Sequence, residues 1–178
     1  MSNELPPLAP MPSISASSSS SIPVNQATED EQWMTLAVNQ AKLCQSTTTA
    51  YNVGAVLVST SSTPSTLLAT GHSRQLPGNT HAEECCFIKV PSFSPANNST
   101  LYTTMEPCST RLSGKKSCTE WCLQLGINRV VIASKEPDVF VKCVGVDILE
   151  RAGIEVVLMP QWNDLCLALN SHLVANLV

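Results

Sequence analysis

The sequence has 178 residues, of which 43% are hydrophobic, and a formal net charge of −4 with a pI of about 5.3. This length suffices for one domain with a buried core, and the apolar runs are strand-sized, which argues against a membrane span. The N-terminus lacks the basic start and apolar run of a secretory signal, and the acidic balance argues against nucleic acid as a partner. We expect a cytoplasmic protein that binds a small molecule, with neither nucleic acid nor membrane as a partner.

Residues 1–27 differ in composition from the rest of the chain. They hold five of the twelve prolines and a serine run at 17–21. Such a segment buries too little apolar surface to offset its ordering entropy. We expect a flexible extension over 1–27 and one folded domain over 28–178. The alternative is that the extension is an arm that docks on this or a partner subunit.

Apolar spacing and turn residues predict the elements α-β-β-α-β-α-β-α-β-α. In chain order these are a helix opened by a capping box at Thr28 and Glu31, strands at 53–58 and 66–71, a helix at 81–90, a strand at 100–105, a helix at 118–125, a strand at 130–133, a helix at 144–152, a strand at 154–159 and a helix from 161. After the first hairpin, helices alternate with strands. This order predicts a three-layer α/β/α sandwich around a mixed, mostly parallel sheet of about five strands.

Two short motifs stand at predicted element boundaries. His81-Ala82-Glu83 begins a helix, while Pro107-Cys108 follows a strand and is separated by nine residues from Cys118, which begins another helix. This order of His-x-Glu, Pro-Cys and Cys is typical of zinc deaminases. We therefore predict a Zn²⁺ site with His81, Cys108 and Cys118 as its ligands.

The residue types fit hydrolytic deamination. Three protein ligands leave one coordination position open, and zinc lowers the pKa of a water bound there to about 7. Glu83, on the first turn of its helix, is predicted to carry the proton from the water to the ring and then to the leaving amine. The neighbouring Glu84 is expected to be solvated or paired with a basic residue, and Glu106 is expected to bind backbone amides.

The other cysteines leave two alternatives open. Cys122, four residues after Cys118, is a possible fourth ligand of a structural zinc site or a replacement for Cys118 as third ligand. Helix-start ligands fit an open catalytic site better, which favours Cys118. Cys44, Cys143 and Cys166 lie in apolar patterns where a free thiol serves as a small hydrophobe.

Four stretches resemble the deaminases of fungal riboflavin biosynthesis, within the cytidine-deaminase-like superfamily. They are 69–74 (ATGHSR), 76–83 (LPGNTHAE), 105–114 (MEPCSTRLSG) and 135–141 (KEPDVFV). The resemblance implies hydrolysis of 2,5-diamino-6-ribitylamino-4(3H)-pyrimidinone 5′-phosphate to the 5-amino-6-ribitylamino-uracil phosphate and ammonia. It also implies a homodimer.

The resemblance suggests substrate contacts as well. Glu136 and Asp138 occupy the place of an acidic loop that lies at the substrate pocket of bacterial relatives, so they are candidates to bind ring amines or ribityl hydroxyls. Their alternative is a solvated turn. A phosphate needs a positive or amide-rich pocket. The candidates for it are Arg111, Lys115 and Lys116, between the ligand cysteines, together with His72 and Arg74. Exposed basic side chains are also commonly just solvated.

Two rival functions remain at this point. One is a nucleoside or tRNA deaminase of the same superfamily, against which the acidity and the lack of a basic tract argue. The other is a non-catalytic binding module stabilised by zinc. It predicts four protein ligands and no need for Glu83, because a structural site requires no proton carrier.

Overall fold

The computed structural model describes residues 26–90, 98–137 and 143–174. In chain order its elements are α1 (Gln26–Ala41), β1 (Gly54–Ser59), β2 (Thr66–His72), α2 (Ala82–Lys89), β3 (Ser99–Thr103), α3 (Cys118–Leu125), β4 (Arg129–Ile132), α4 (Gly145–Arg151), β5 (Glu155–Leu158), a 3₁₀ turn (Pro160–Trp162), α5 (Asn163–Ala168) and α6 (Ser171–Val174). Among these residues no helix is both long and apolar enough to cross a bilayer.

The five strands form one sheet in the order β2-β1-β3-β4-β5. Strand β1 pairs antiparallel with both β2 and β3, whereas β3 with β4 and β4 with β5 pair in parallel. Strands β2, β3, β4 and β5 therefore run in one direction and β1 in the other. This confirms the predicted five-stranded, mixed and mostly parallel sheet.

Hydrophobic cores lie on both faces of the sheet. Alternate residues of a strand point to opposite faces. Ala55 and Leu57 of β1 belong to the core under α2, α3 and α4, while Val56 and Val58 belong to the core under α1 and α5. The fold is thus the predicted three-layer α/β/α sandwich.

The parallel strands position the site. Because β3 and β4 run in parallel, the loops that follow them leave the sheet at the same edge. The loop after β3 carries Cys108, and the loop after β4 carries Glu136. Helix α3 begins where predicted: Ser117 accepts a hydrogen bond from the amide of Glu120 at its start, and Gly126 ends it in the left-handed conformation.

The structure corrects the first and the last of the predicted helices. Helix α1 is already formed at Gln26, so Thr28 does not cap it, and the predicted boundary at residue 28 falls inside the helix. The Glu31 carboxylate instead accepts hydrogen bonds from the side chains of Gln161 and Trp162. The C-terminal helix is broken into short pieces. At its second break, Asn170 accepts a bond from the amide of Asn52 at 2.6 Å. Residues 1–25, the bulk of the predicted extension, lie outside the described residues.

Candidate active site

Three side chains meet at the edge of the sheet where the loop after β3 reaches the starts of α2 and α3. The Nδ1 atom of His81 lies 3.5 Å from the Sγ of Cys108 and 3.6 Å from the Sγ of Cys118. Zn–S bonds of about 2.3 Å and Zn–N bonds of about 2.0 Å at a tetrahedral angle place ligand atoms roughly 3.5 Å apart. The spacing of these atoms therefore fits a single zinc ion. In the described residues they form the one His/Cys/Asp/Glu group whose ligand atoms all lie within 4.8 Å of one another.

Helix starts orient two of these ligands. His81 is the residue before α2, and its backbone N–H donates to the Glu84 carboxylate at 3.1 Å. Cys118 is the first residue of α3, and its backbone N–H donates to the sulfur of Cys108 at 3.3 Å. Amides at a helix start favour negative charge, so this bond favours thiolate at Cys108.

The hydrogen bond between the two thiols shifts their pKa values in opposite directions. A hydrogen bond from Cys118, followed by a hydrogen bond and charge from His81, lowers the pKa of Cys108 to about 4. The same bond, together with burial, raises the pKa of Cys118. A dication bound here displaces the remaining proton, because the thiolate is the form that ligates metal.

Glu83 lies beside the three ligand side chains and is only 3% exposed. Its carboxylate accepts hydrogen bonds from the Oγ1 of Thr103 at 3.2 Å and from the Sγ of Cys118 at 3.4 Å. Burial raises the pKa of this carboxyl, an effect that the charge of His81 opposes. A carboxyl with a raised pKa in a cleft can both accept and return a proton near neutral pH.

A cleft of about 230 Å³ opens onto these side chains. Its walls come from the segments 49–53, 73–83, 105–113, Glu136 and Cys143. Both His81 and Glu83 are among the residues that line it. The arrangement brings the predicted metal ligands and the buried Glu83 carboxylate together at a pocket open to a small molecule.

The residues predicted to contact the phosphate fall into two groups in the structure, those that line the cleft and those that do not. Arg74 and Arg111 line the cleft. Lys115 reaches the carbonyl of Gly78 at 2.5 Å and is outside the cleft lining. His72, on β2, is also outside the lining, and burial followed by the charges of Lys89 and Arg74 lowers its pKa. Lys116 is likewise outside the lining, so the structure brings two of the five predicted basic residues to the cleft.

The two cleft arginines differ in their partners. Arg74 donates to three neutral oxygens: the carbonyls of Tyr51 and Gln45 and the side-chain amide of Asn52. Arg111 instead forms an ion pair with Glu84 at 2.7 Å. The positive charge of Arg74 is left available to an anion, while that of Arg111 is compensated. The expectation that Glu84 pairs with a basic residue is confirmed.

Of the predicted acidic contacts, Glu136 lines the cleft and Asp138 lies outside the described residues. Burial raises the pKa of Glu136 to about 7 against a hydrogen bond from Cys143 that lowers it, and the nearby charges of Cys108, Glu106 and Glu83 raise it further. A carboxyl of this kind changes charge near neutral pH.

Among the cleft residues that sequence reasoning missed are Tyr51 and Cys143. Tyr51 lines the cleft and donates a hydrogen bond from its hydroxyl to the carbonyl of Pro137 at 3.3 Å. Cys143 was expected in the core, but it precedes α4, is half-buried and lines the cleft. Neither position carries a local signal, because both reach the site through loops. Tyr51 and the neighbouring Ala50 belong to a wall of the cleft that forms only when the chain folds.

The contacts of Cys122 and Glu106 indicate structural roles for both residues. Cys122 is fully buried in the core under α3 and is not part of the ligand group. Glu106 accepts a hydrogen bond from the backbone N–H of Val146 at 2.9 Å, as expected of a carboxylate that binds amides. These contacts leave His81, Cys108 and Cys118 as the predicted ligands.

The fold and the site together define a class of protein. An α/β/α sandwich with His-x-Glu at one helix start and Pro-Cys and Cys around another is the arrangement of zinc-dependent deaminases. The chain belongs to the family described as the cytidine and deoxycytidylate deaminase zinc-binding region, whose model matches residues 27–134.

The names of individual relatives describe a more specific activity than the family description does. The chain is 46% identical over 140 residues to a diaminohydroxyphosphoribosylamino-pyrimidine deaminase of Schizosaccharomyces pombe, an alignment that covers 77% of this chain and 34% of that protein. It is 32% identical to the protein of the same name from Buchnera aphidicola subsp. Schizaphis graminum, over 72% of this chain and 82% of that one. The resemblance to the deaminases of riboflavin biosynthesis is thereby confirmed. The chain spans about a third of the length of the fission-yeast relative.

A solved structure agrees with the fold. The RibD protein of Acinetobacter baumannii superposes with a TM-score of 0.71 at 30% identity, covering 85% of this chain and 41% of that chain. The similarity therefore extends over nearly the whole described sandwich and over less than half of the bacterial protein.

Proposed function

We propose that this chain is a zinc-dependent hydrolytic deaminase that converts 2,5-diamino-6-ribitylamino-4(3H)-pyrimidinone 5′-phosphate to 5-amino-6-ribitylamino-uracil 5′-phosphate and ammonia. The observation that carries the proposal is the buried Glu83 carboxylate beside His81, Cys108 and Cys118 at the floor of a cleft. The names of the fission-yeast and Buchnera relatives support the choice of a pyrimidine substrate.

His81, Cys108 and Cys118 would hold the zinc ion. Zinc bound by one imidazole and two thiolates lowers the pKa of water to near neutrality and so supplies hydroxide at physiological pH. The chain's part is to keep the two sulfurs and Nδ1 at the spacing observed and to leave the cleft side open.

Glu83 moves the protons. Its carboxylate takes a proton from the attacking water, and the hydroxyl oxygen forms a bond to the amine-bearing ring carbon. Glu83 returns that proton to the ring nitrogen and then conveys the second proton to the leaving amine. The carbon–nitrogen bond breaks, ammonia leaves and a ring carbonyl remains. Thr103, which donates to one of the carboxylate oxygens, orients Glu83 for these transfers.

The substrate contacts follow from charge. Glu136, which lines the cleft, would accept hydrogen bonds from ring amines or ribityl hydroxyls, with Asp138 as a second acceptor. Arg74 is the cleft cation that would bind the phosphate, because its observed partners are neutral. Lys115 and His72 remain weaker candidates, since neither is part of the cleft lining.

The test is ammonia release by the purified zinc-loaded protein. Substrates are the ribitylamino and ribosylamino pyrimidine phosphates, cytidine, deoxycytidylate and a tRNA anticodon stem. We expect turnover of the ribitylamino compound well above all others. Activity on only cytidine, deoxycytidylate or tRNA would contradict the assignment, and preference for the ribosylamino compound would correct its side chain.

Glu83→Gln separates an enzyme from a zinc-stabilised binding module. The amide keeps the shape of the side chain but cannot accept and return a proton, so we expect ammonia release to fall by about 10²–10⁴-fold while zinc stays bound. Glu150→Gln, an exposed change on α4, is the control and should match the wild type. Equal activity of both variants would refute a proton-carrying role.

We also propose a cytoplasmic homodimer in which the flexible extension is confined to residues 1–25, because residues 26 and 27 belong to α1. Light scattering after size exclusion measures the mass of the particle, and limited proteolysis followed by mass spectrometry measures whether cleavage is confined to that extension. A monomer, or an extension resistant to protease, would contradict the corresponding part of the proposal.

A further inference from the structure

A buried ion pair lies directly behind the predicted metal ligands. The Nη1 of Arg111 donates to the Oε2 of Glu84 at 2.7 Å, and the two side chains are 3% and 11% exposed. Buried charges are costly unless they are paired and hydrogen-bonded, so such a pair imposes one geometry on the segments that carry it.

Those segments are the two halves of the site. Glu84 lies on α2 next to Glu83 and three residues after His81, whereas Arg111 lies three residues after Cys108 in the loop that leads to Cys118. The same Oε2 atom of Glu84 accepts the backbone N–H of His81 at 3.1 Å. One carboxylate oxygen therefore links the backbone of the histidine ligand to the loop between the cysteine ligands.

A second set of bonds strengthens this link. The Nη2 of Arg111 donates to the carbonyl of Asn79 at 2.8 Å, and Lys115 of the same loop donates to the carbonyl of Gly78. Gly78 and Asn79 belong to the turn that leads into His81. The planar guanidinium thus holds a carboxylate with one arm and a carbonyl with the other, which a lysine cannot reproduce.

We infer that Arg111 and Glu84 are positioning residues, which hold His81 at the correct distance from Cys108 and Cys118 for one metal ion. The inference rests on the proposed zinc site. It assigns Arg111 a role different from the phosphate contact that its sequence position suggested, because Glu84 already compensates its charge. Loss of a residue that orients metal ligands typically lowers metal affinity by about 10–100-fold.

The test compares Arg111→Met with Arg111→Lys, the double variant Arg111→Met/Glu84→Gln, and the exposed control Arg151→Met. Zinc affinity is measured by competition with a chromophoric chelator, and ligand geometry by the absorption spectrum of the Co²⁺-substituted protein. We expect Arg111→Met to weaken zinc binding by about 10–100-fold and to alter the Co²⁺ spectrum. Arg111→Lys should recover only part of the loss, and Arg151→Met should match the wild type.

Steady-state kinetics distinguish positioning from phosphate binding. With zinc saturating, positioning predicts a reduced kcat and an unchanged KM for the phosphorylated pyrimidine in Arg111→Met. A raised KM that disappears with the dephosphorylated compound, at wild-type zinc affinity, would overturn the inference. If Arg111→Met does not fold, the double variant, which leaves no unpaired charge, decides the question: wild-type zinc affinity there would also overturn it.

The zinc and cobalt measurements do not depend on the substrate. Failure of the wild type to release ammonia would count against the proposed function and leave the positioning role to be judged by metal affinity. Unchanged metal affinity in all Arg111 variants would contradict the positioning role and would leave the proposed function unaffected.

Discussion

Gly145 offers a sharp test of how the fold holds Cys108. A Cβ atom at this position would lie 2.1 Å from the carbonyl oxygen of Pro107, the residue before Cys108. Gly145 is not among the glycines with positive φ, so alanine acts through steric contact rather than backbone strain. The Pro107 carbonyl is the severe contact, and the Glu106 side chain, at 3.3 Å, is a minor one. Moving the carbonyl from 2.1 Å to ordinary contact at 3.4 Å requires a shift of about 1.3 Å.

The shift has a direct consequence for the site. It displaces the Pro107-Cys108 turn relative to α4 and strains the 2.9 Å bond between Glu106 and the amide of Val146. Misplacement of a reacting group by about 1 Å can cost about 10²-fold in rate. We therefore expect Gly145→Ala to lower kcat by about 10²-fold, together with a measurable loss of zinc affinity in chelator competition.

The matched control lies near the other end of the same helix. Gly153 has a φ of +81°, and a Cβ there would meet nothing within 4 Å. Gly153→Ala should therefore cost about 1 kcal/mol of stability from backbone strain alone, with zinc affinity and kcat unchanged. Wild-type zinc affinity and kcat in Gly145→Ala would refute the argument that this contact positions Cys108.

Three further predictions concern charge and ligand choice. Burial raises the pKa of Asp30, but bonds from Arg129, Tyr102 and Gln26 lower it below 3.8, so its stabilisation is present above about pH 3.8 and is lost as pH falls further. Asp30→Asn should cost about 3 kcal/mol in neutral urea unfolding, with a gap that narrows in acid; a gap independent of pH would contradict this. Cys118→Ala should abolish stoichiometric zinc in metal analysis, whereas Cys122→Ala should keep it. Because the pKa of Glu136 is raised to about 7, substrate KM should fall as pH rises through 7 and become independent of pH in Glu136→Gln.

Much of the fold was predictable because its signals are local. Helix α3 was predicted over its observed range, since its apolar spacing and the glycine that ends it, Gly126, are close together in sequence. The alternation of helices and strands likewise predicted the sandwich. The start of α1 was predicted wrongly, because Glu31 has the form of a capping residue but bonds to Gln161 and Trp162 across the fold.

The residues of the site show the same difference between local signals and contacts formed across the fold. His81, Glu83, Cys108 and Cys118 were recognisable because each stands at an element boundary, where the backbone itself aims the side chain. Two of the residues on loops were predicted wrongly. Cys143 was expected to be a core thiol and lies in the cleft, and Arg111 was expected to meet phosphate and meets Glu84 instead.

The sequence by itself predicted the layers of the fold and the kind of chemistry that the proposed metal ligands and the Glu83 carboxylate would support. Only the tertiary structure decided which charges in the cleft are already compensated. A motif specifies residue type and spacing along the chain, whereas the partner of a long charged side chain depends on which loops pack together. Arg111 and Arg74 are equally basic in sequence, and the difference between them lies in the carboxylate of Glu84.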